Sequence, residues 1–320
     1  MKRFKNILYA AENSVAVTAF HRAVELADRN NARLTVVLVM EPLPPYLNRR
    51  TPQALRQARI RETTAGLKKL CEDVGGRVEV ETRIVEGKAF LEIIREVMRN
   101  KRDLVIKSAE GADSALRRLF GTTDMHLLRK CPCPVWLIKS SGPTPIRRIM
   151  APVDFSDLTP SDEDTAEPLN RMILEMTGVL AHQEHSECHI VHAWEAIGED
   201  AMSGGRTGLS AEEVDSYVDE VRLEHRQWLE RLLRKAKQWI GPEIYDALNP
   251  KSHVTKGSAK HIIPKLVREL EIDLVVMGTV ARTGIPGFVI GNTAEGVLNE
   301  IDCSVLAVKP PDFVTPVTLE

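Results

Sequence analysis

The sequence is poor in the features that mark several large protein classes. No apolar run reaches the ~18 residues needed to cross a bilayer, which excludes a helical membrane protein. The segment MKRFKNILYA offers too short an apolar stretch for a signal peptide and runs directly into a predicted strand. Five cysteines in 320 residues, unevenly placed, do not make a disulfide framework, so the cytoplasm is the expected compartment. Nor is there an excess of positive charge. Forty-three Lys and Arg stand against 45 Asp and Glu, and the net charge of −2 argues against a nucleic-acid partner. The basic stretch Arg222–Lys237 is interleaved with Glu224 and Glu230 and reads as a solvated helix face. Neither a Gly-x-Gly-x-x-Gly turn after the first predicted strand nor a Gly-Lys-Ser/Thr sequence occurs, so the dinucleotide fingerprint and the P-loop are both missing.

What is present is a duplication. Residues Val85–Lys139 align without a gap on Thr255–Lys309 at a constant offset of 170, and 13 of those 55 positions are identical. Among them are Gly87/Gly257, Asp103/Asp273, Gly121/Gly291, Thr123/Thr293, Cys133/Cys303 and Lys139/Lys309. A repeat of this length is a duplicated domain and not a solenoid of short units. The expected division is 1–140 and 147–320, joined by a Ser/Gly/Pro linker at 141–146, and each half is long enough for its own core.

Each half alternates short β-branched runs with amphipathic stretches. Strands are predicted at Asn6–Ala11, Leu34–Met40, Val78–Val85, Leu104–Lys107 and Val135–Lys139, then at Arg148–Val153, Cys188–Trp194, His253–Lys256, Leu274–Met277 and Val305–Val308. Helices are predicted at Val15–Asn30, Pro52–Gly75, Ala89–Asn100 and Thr123–Lys130, and a long one from the capping box Ser210–Glu213 to about Trp239. Strands apolar at nearly every position imply a parallel sheet covered on both faces. The extra residues Gly198–Gly208 of the second half are expected to form a mobile surface loop, with a lid over a site as the sharper alternative.

The second half has the more suggestive chemistry. After the strand DLVVM comes GTVARTGIPGFVIGNTAE, whose glycines leave the strand, cross a loop and open a helix at Thr293. Uncovered N–H groups at a helix start bind anions, and glycines let a phosphate approach the backbone closely. In an open parallel sheet such a ligand lies beyond the carboxyl ends of the strands. On spacing alone the same glycines suit tight turns equally well.

Three segments, IMAPVDFSD, IVHAWE and VVMGTVARTGIPGFVIGNTAEGVLNEIDCSVLAVKPP, resemble the universal stress protein family, of the tandem type. The resemblance covers essentially the whole chain and is sharper in the second half. It implies an α/β fold of two tandem flavodoxin-like (Rossmann-like) domains, each a five-stranded parallel sheet flanked by helices. It also implies an intramolecular pseudo-dimer, with a further homodimer open. Family members bind ATP, or lack that ability, according to a G-x2-G-x9-G-[ST] motif.

Carried over residue by residue, the adenine-recognising acid is Asp154, reached through Pro152 and Val153, and the second-strand contact is Ala193. The residue before the motif is Met277, and the motif positions are Gly278, Ala281, Gly291 and Asn292, with Thr293 adjacent and Gly287 within the loop. Two departures matter, since Ala281 replaces a glycine and Asn292 a hydroxyl residue. The implied ligand is ATP, with magnesium, or a related nucleotide. A protein-interaction module, or a carrier of another small ligand, is the rival, and the protein partner is not named by the sequence.

The aligned positions of the first half are Glu12 for the acid, Lys107 before the motif, and Ser108, Gly111, Gly121 and Thr122 within it. The bulky Leu116–Phe120 stands where the second copy is slender. This copy is expected to be structural.

Other clusters read more plainly. His182, His185 and Cys188, from AHQEHSECHIVHAW, could ligate zinc but straddle a turn, and no second cluster completes a site. Cys131 and Cys133 are spaced C-x-C and not C-x-x-C, and suit small buried positions. Asp154 and Ser156 have no base or nucleophile beside them, so at most a weak ATPase is expected and not a dedicated enzyme.

Overall fold

The computed structural model describes residues 3–12, 17–42, 53–72, 76–109, 120–139, 141–143, 145–155, 160–203, 208–279 and 290–319; side chains at 54–56 and 160–165 are also left undescribed. The chain divides into two compact units, one of Met1–Gly142, Thr279–Gly291 and Ser304–Glu320, the other of Pro143–Gly278 and Asn292–Cys303. The break at 142 falls in the Ser/Gly/Pro segment. Beyond Gly278 the units cease to follow the repeat, because the last strand of the second copy goes with the first unit.

In the first unit the strands are β1 (Asn6–Ala11), β2 (Arg33–Met40), β3 (Val80–Glu86), β4 (Leu104–Ser108), β5 (Val135–Ile138) and β10 (Ser304–Val308). Their order is β3-β2-β1-β4-β5-β10. The first five run parallel, and β10 pairs antiparallel with β5, Leu306 opposite Trp136. β4, β5 and β10 are buried at every position, as expected for strands covered on both faces. Helices α1 (Val17–Asn30), α2 (Gln53–Glu72), α3 (Ala89–Asn100) and α4 (Thr122–Lys130) supply the cover. Tyr9, Phe20, Ile94, Leu127 and Trp136 are among the largest fully buried side chains.

The second unit repeats the pattern with β6 (Arg148–Pro152), β7 (Glu187–Trp194), β8 (Lys251–Lys256) and β9 (Leu274–Gly278) in the parallel order β9-β6-β7-β8. Its helices are α5 (Pro160–Glu184), α6 (Glu199–Ser203), α7 (Ala211–Ile240), α8 (Pro242–Leu248), α9 (Ala259–Glu269) and α10 (Asn292–Glu300). α5 and α7 pack on each other and on the sheet, and α9 packs on α10 and on β7. The capping box forms as expected at α7, where the Glu213 amide donates to Ser210 Oγ at 3.3 Å and the Ser210 amide to Glu213 Oε2 at 2.8 Å. The basic stretch of α7 buries Trp228, Leu229, Leu232 and Ala236 and exposes its charges.

One expectation needs correction. The segment at 198–208 is not simply a loop, since Glu199–Ser203 is helical and the Lys256 ammonium binds Glu199 at 2.6 Å. Residues 204–207 lie outside the described residues.

One identity shared by the copies, Asp103/Asp273, is explained by a single device. The Asp103 carboxylate accepts the amides of Lys5 at 2.7 Å and Asn6 at 3.1 Å, and Asp273 accepts those of Arg147 at 2.7 Å and Arg148 at 3.0 Å. In each copy an Asp before the fourth strand fastens the start of the first strand. Lys309 is also explained. Buried in the first unit, it donates to the Leu128 carbonyl at 2.7 Å, which also accepts from Thr279 Oγ1 at 2.9 Å. Burial lowers the Lys309 ammonium to a pKa of about 8. Cys131 and Cys133 are buried nearby as free thiols, their sulfurs 3.7 Å apart, and burial pushes the Cys133 thiol well up.

Candidate functional site

The candidate residues of the second copy come from the carboxyl ends of three adjacent parallel strands. Register decides this. Pro152 on β6 pairs with Val191 on β7, and two residues on, Asp154 and Ala193 stand level. Met150 pairs with Val275 on β9, so continuing that register sets Met277 level with Pro152. β6 lies between β9 and β7, and the order reverses between β6 and β9, the place where open α/β sheets form a crevice. Asn292 and Thr293 are exposed in the first turn of α10. Gly291 falls in the other compact unit, where its amide donates to the Thr279 carbonyl at 3.4 Å. Ala281 and Gly287 lie outside the described residues.

These positions differ in what they offer a ligand. Met277 and Val153 are each 4% exposed and belong to the core, whereas Asp154 is exposed. The turn carrying Asp154 is held by Asn170 of α5, whose amide group donates to the Asp154 carbonyl at 2.8 Å while its carbonyl accepts the Asp154 amide at 3.2 Å. Gly278 has a close neighbour. A Cβ there would lie 2.6 Å from Leu169 Cδ2 of α5, so its missing side chain makes room for a leucine. The end of β9 is thus approached by the protein's own helix.

Beside Asp154 the surface opens. A small cleft of about 50 Å³ between α5 and α7 is lined by Asp154, Phe155, Asn170, Trp228, Arg231 and Lys235, with Ala166, Glu167 and Leu232. Lys235 is held by Glu167 across the two helices at 2.6 Å. Behind the cleft lies a ring cluster that the sequence did not single out as a unit. Phe155 and Trp228 have centroids 5.1 Å apart, and Trp228 packs on His192 at 4.8 Å. His192 Nε2 meets His225 Nδ1 at 2.8 Å, and His192 Nδ1 meets the Val153 carbonyl at 3.2 Å. The histidine pair is buried, and it ties β7, α7 and the strand end leading to Asp154 into one packed layer. β7 is buried at nearly every position and α7 along one face, which puts both histidines inside, but nothing local announced that they would meet.

The zinc candidates disperse. His182 and His185 are exposed, and His185 has left the helix with φ 56°, so the two do not share a helical face. Cys188 is buried, and burial pushes its thiol up to about 12, the opposite of what a thiolate ligand needs. Among the described residues no group of three His, Cys, Asp or Glu side chains is placed to hold a metal ion.

The equivalent positions of the first copy have turned on each other. The Lys107 ammonium pairs with Glu12, with Asp124 of α4 at 2.9 Å, and with the Ser108 carbonyl at 3.0 Å. Lys107 and Asp124 are buried, and Asp124 also accepts the Gly121 amide at 3.1 Å. The basic residue before the motif therefore neutralises the acid that would face a ligand. Gly111 and Leu116–Arg118 lie outside the described residues.

One family model matches both halves, residues 3–139 and 145–309, and describes the universal stress protein family. Universal stress protein E of Escherichia coli K12 is 30% identical over 330 aligned residues, which cover 100% of this chain and 98% of that protein. Its namesake from Salmonella typhi is 30% identical, with 100% and 99% covered. Two solved structures share the fold across nearly the whole chain. A protein of unknown function from Pseudomonas aeruginosa PAO1 superposes with a TM-score of 0.64 at 22% identity, covering 97% of this chain and 94% of that one. A universal stress protein from Archaeoglobus fulgidus does so at 0.61 and 16% identity, covering 95% and 98%.

Proposed function

Because the chain belongs to the universal stress protein family and carries its domain twice, we propose that it is a cytoplasmic stress-response protein whose second repeat binds a small ligand, a nucleotide of the ATP type. The observation that carries this reading is the contrast between the two acids. Asp154 is exposed beside a cleft, while its counterpart Glu12 is engaged by the buried ammonium of Lys107. A carboxylate facing solvent at a strand end can accept hydrogen bonds from a base edge, and one neutralised within its own domain cannot. The first repeat then serves as a structural copy, and a bound nucleotide would bring its own magnesium. No base–nucleophile pair adjoins Asp154 in the cleft lining, so binding, not turnover, is the activity proposed.

A second reading has its own observation. Leu169 stands against Gly278, where the family pattern expects close backbone approach by phosphate. That favours a carrier of another small ligand, or a protein-interaction module. Calorimetric titration of the full chain with ATP, with and without magnesium, tests the first reading, and no heat of binding at millimolar nucleotide removes it. Mass spectrometry of any co-purifying small molecule decides between the two.

A further inference from the structure

We propose that Cys131 and Cys133 form a peroxide-responsive dithiol, oxidised by hydrogen peroxide to a reversible disulfide across Pro132. The site lies in the first unit and is independent of any ligand of the second repeat. Geometry carries it. The two sulfurs are 3.7 Å apart, buried together in the turn between α4 and β5, so closing to the ~2.05 Å of a disulfide asks for a short local movement. The fold does not require the pair. At the aligned positions the second copy carries Ile301 and Cys303, so the small residue at the strand entrance recurs and Cys131 is the addition.

The surroundings divide the roles. Cys131 closes α4, its amide donating to the Leu127 carbonyl at 3.0 Å, and the carbonyls of a helix end disfavour a thiolate there. Lys309 answers that. Its ammonium donates to the Leu128 carbonyl at 2.7 Å in the same last turn and is itself buried, so its charge acts on the thiols with little screening. Burial works against a Cys131 thiolate, but a hydrogen bond from Cys133 and the Lys309 charge outweigh it and hold that thiol below its ordinary value. The Cys133 thiol is pushed the other way, first by burial and then by Cys131, with Asp103 adding to the effect and Lys309 opposing it. One sulfur is therefore the nucleophile and its neighbour the thiol that resolves. The Cys131 thiolate attacks one peroxide oxygen. Its S–O bond forms, the O–O bond breaks, and the departing hydroxide becomes water with the proton the Cys131 thiol gave up. The Cys133 sulfur then attacks Cys131 Sγ. The S–S bond forms, the S–O bond breaks, and the Cys133 proton leaves with that oxygen as a second water. Two thiols thus lose two electrons to one peroxide, and nothing else is consumed. Cys131 is fully buried and Cys133 is 8% exposed, which admits a peroxide more readily than a bulky disulfide such as oxidised glutathione.

The test treats the reduced full chain with hydrogen peroxide and follows it by intact mass and tryptic mapping. The expected product is a loss of about 2 Da, two hydrogens, on the peptide Cys131–Lys139, restored by dithiothreitol. Exposure is the rival explanation. Cys71 is only half-buried, so reactivity governed by access alone would oxidise it first. The dithiol should instead react roughly tenfold or more faster than Cys71, Cys188 and Cys303. Cys133→Ser should trap Cys131 as a sulfenic acid that dimedone labels. Cys131→Ile, which introduces the second copy's own residue, should abolish the mass loss. Lys309→Met should carry the rising limb of rate against pH to higher pH, whereas a merely structural loss would slow the reaction at every pH alike. If the wild-type chain gains oxygen at Cys71 first, with no bridge between Cys131 and Cys133, the proposal is overturned whether or not the variants fold. If bridging keeps its pH profile in Lys309→Met, the role given to Lys309 is overturned. Nucleotide binding bears on neither outcome.

Discussion

The ammonium of Lys107 lies 2.9 Å from the Asp124 carboxylate, and neither side chain is more than 4% exposed. Removing Asp124 takes away the buried counter-ion of Lys107 and leaves its ammonium to the half-exposed Glu12 and the Ser108 carbonyl. Asp124→Ala should therefore cost about 3–5 kcal/mol in chemical denaturation. The second copy supplies the remedy, because at the aligned positions it carries Met277 and Ala294. The double variant Lys107→Met, Asp124→Ala should recover most of the loss, as the coupling energy of a double-mutant cycle. Equal losses in the single and double variants would show that Asp124 acts through the Gly121 amide alone.

Gly278→Ala should destabilise by about 1–3 kcal/mol, because the new methyl group meets Leu169 and the core must shift. Paired with Leu169→Ala, the same change should cost less than the sum of the two single changes, measured by thermal or denaturant unfolding. Strict additivity would mean that α5 relaxes away from β9 at no cost.

Much of this fold can be read locally, and the site only in part. β1 and α3 occupy Asn6–Ala11 and Ala89–Asn100, the bounds that a short apolar run and helical spacing predict. The capping box at Ser210 places α7 correctly. α8 went unpredicted although Gly241-Pro242 marks its start with a proline in the first turn. Contacts between distant segments are another matter. Lys107 is recognisable as the residue before the motif, but its partner Asp124 belongs to the next helix. His192 and His225 lie 33 residues apart, and only the packing of α7 on β7 brings them within 2.8 Å. Leu169 gave no sign that it would cover Gly278, because no periodicity specifies which residue a helix leans against a strand end.

Lys309 predicts an alkaline signature. Burial lowers its folded pKa to about 8 from 10.5. Between those values the unfolded chain binds more protons than the folded one, so stability rises with pH across the window. Denaturation midpoints should increase from pH 8 to pH 10, and Lys309→Met should flatten that rise. An unchanged slope would refute the assignment.

His189 and His253 predict the acid side. They meet at 3.0 Å on neighbouring strands, and burial lowers both below their ordinary 6.5, Lys251 adding to the effect while Glu187 opposes it at His189. Each therefore takes up a proton less readily when folded than when unfolded. Stability should fall as pH drops below about 6.5, and His189→Asn with His253→Asn should reduce the slope. Melting curves at pH 5.5 and pH 7.5 give the comparison.

The antiparallel pairing of β10 with β5 has a consequence for anyone who would cut this chain in two. A fragment ending near residue 142 keeps β1 through β5 but forfeits the five residues that cover the outer side of β5. That fragment would present a strand buried at every position, its amides and carbonyls bare along one side. Such a half is a sticky monomer, apt to close on a twin or to precipitate. Genetic linkage of the two copies makes the missing strand a permanent resident, so the gene that was doubled can no longer be safely halved.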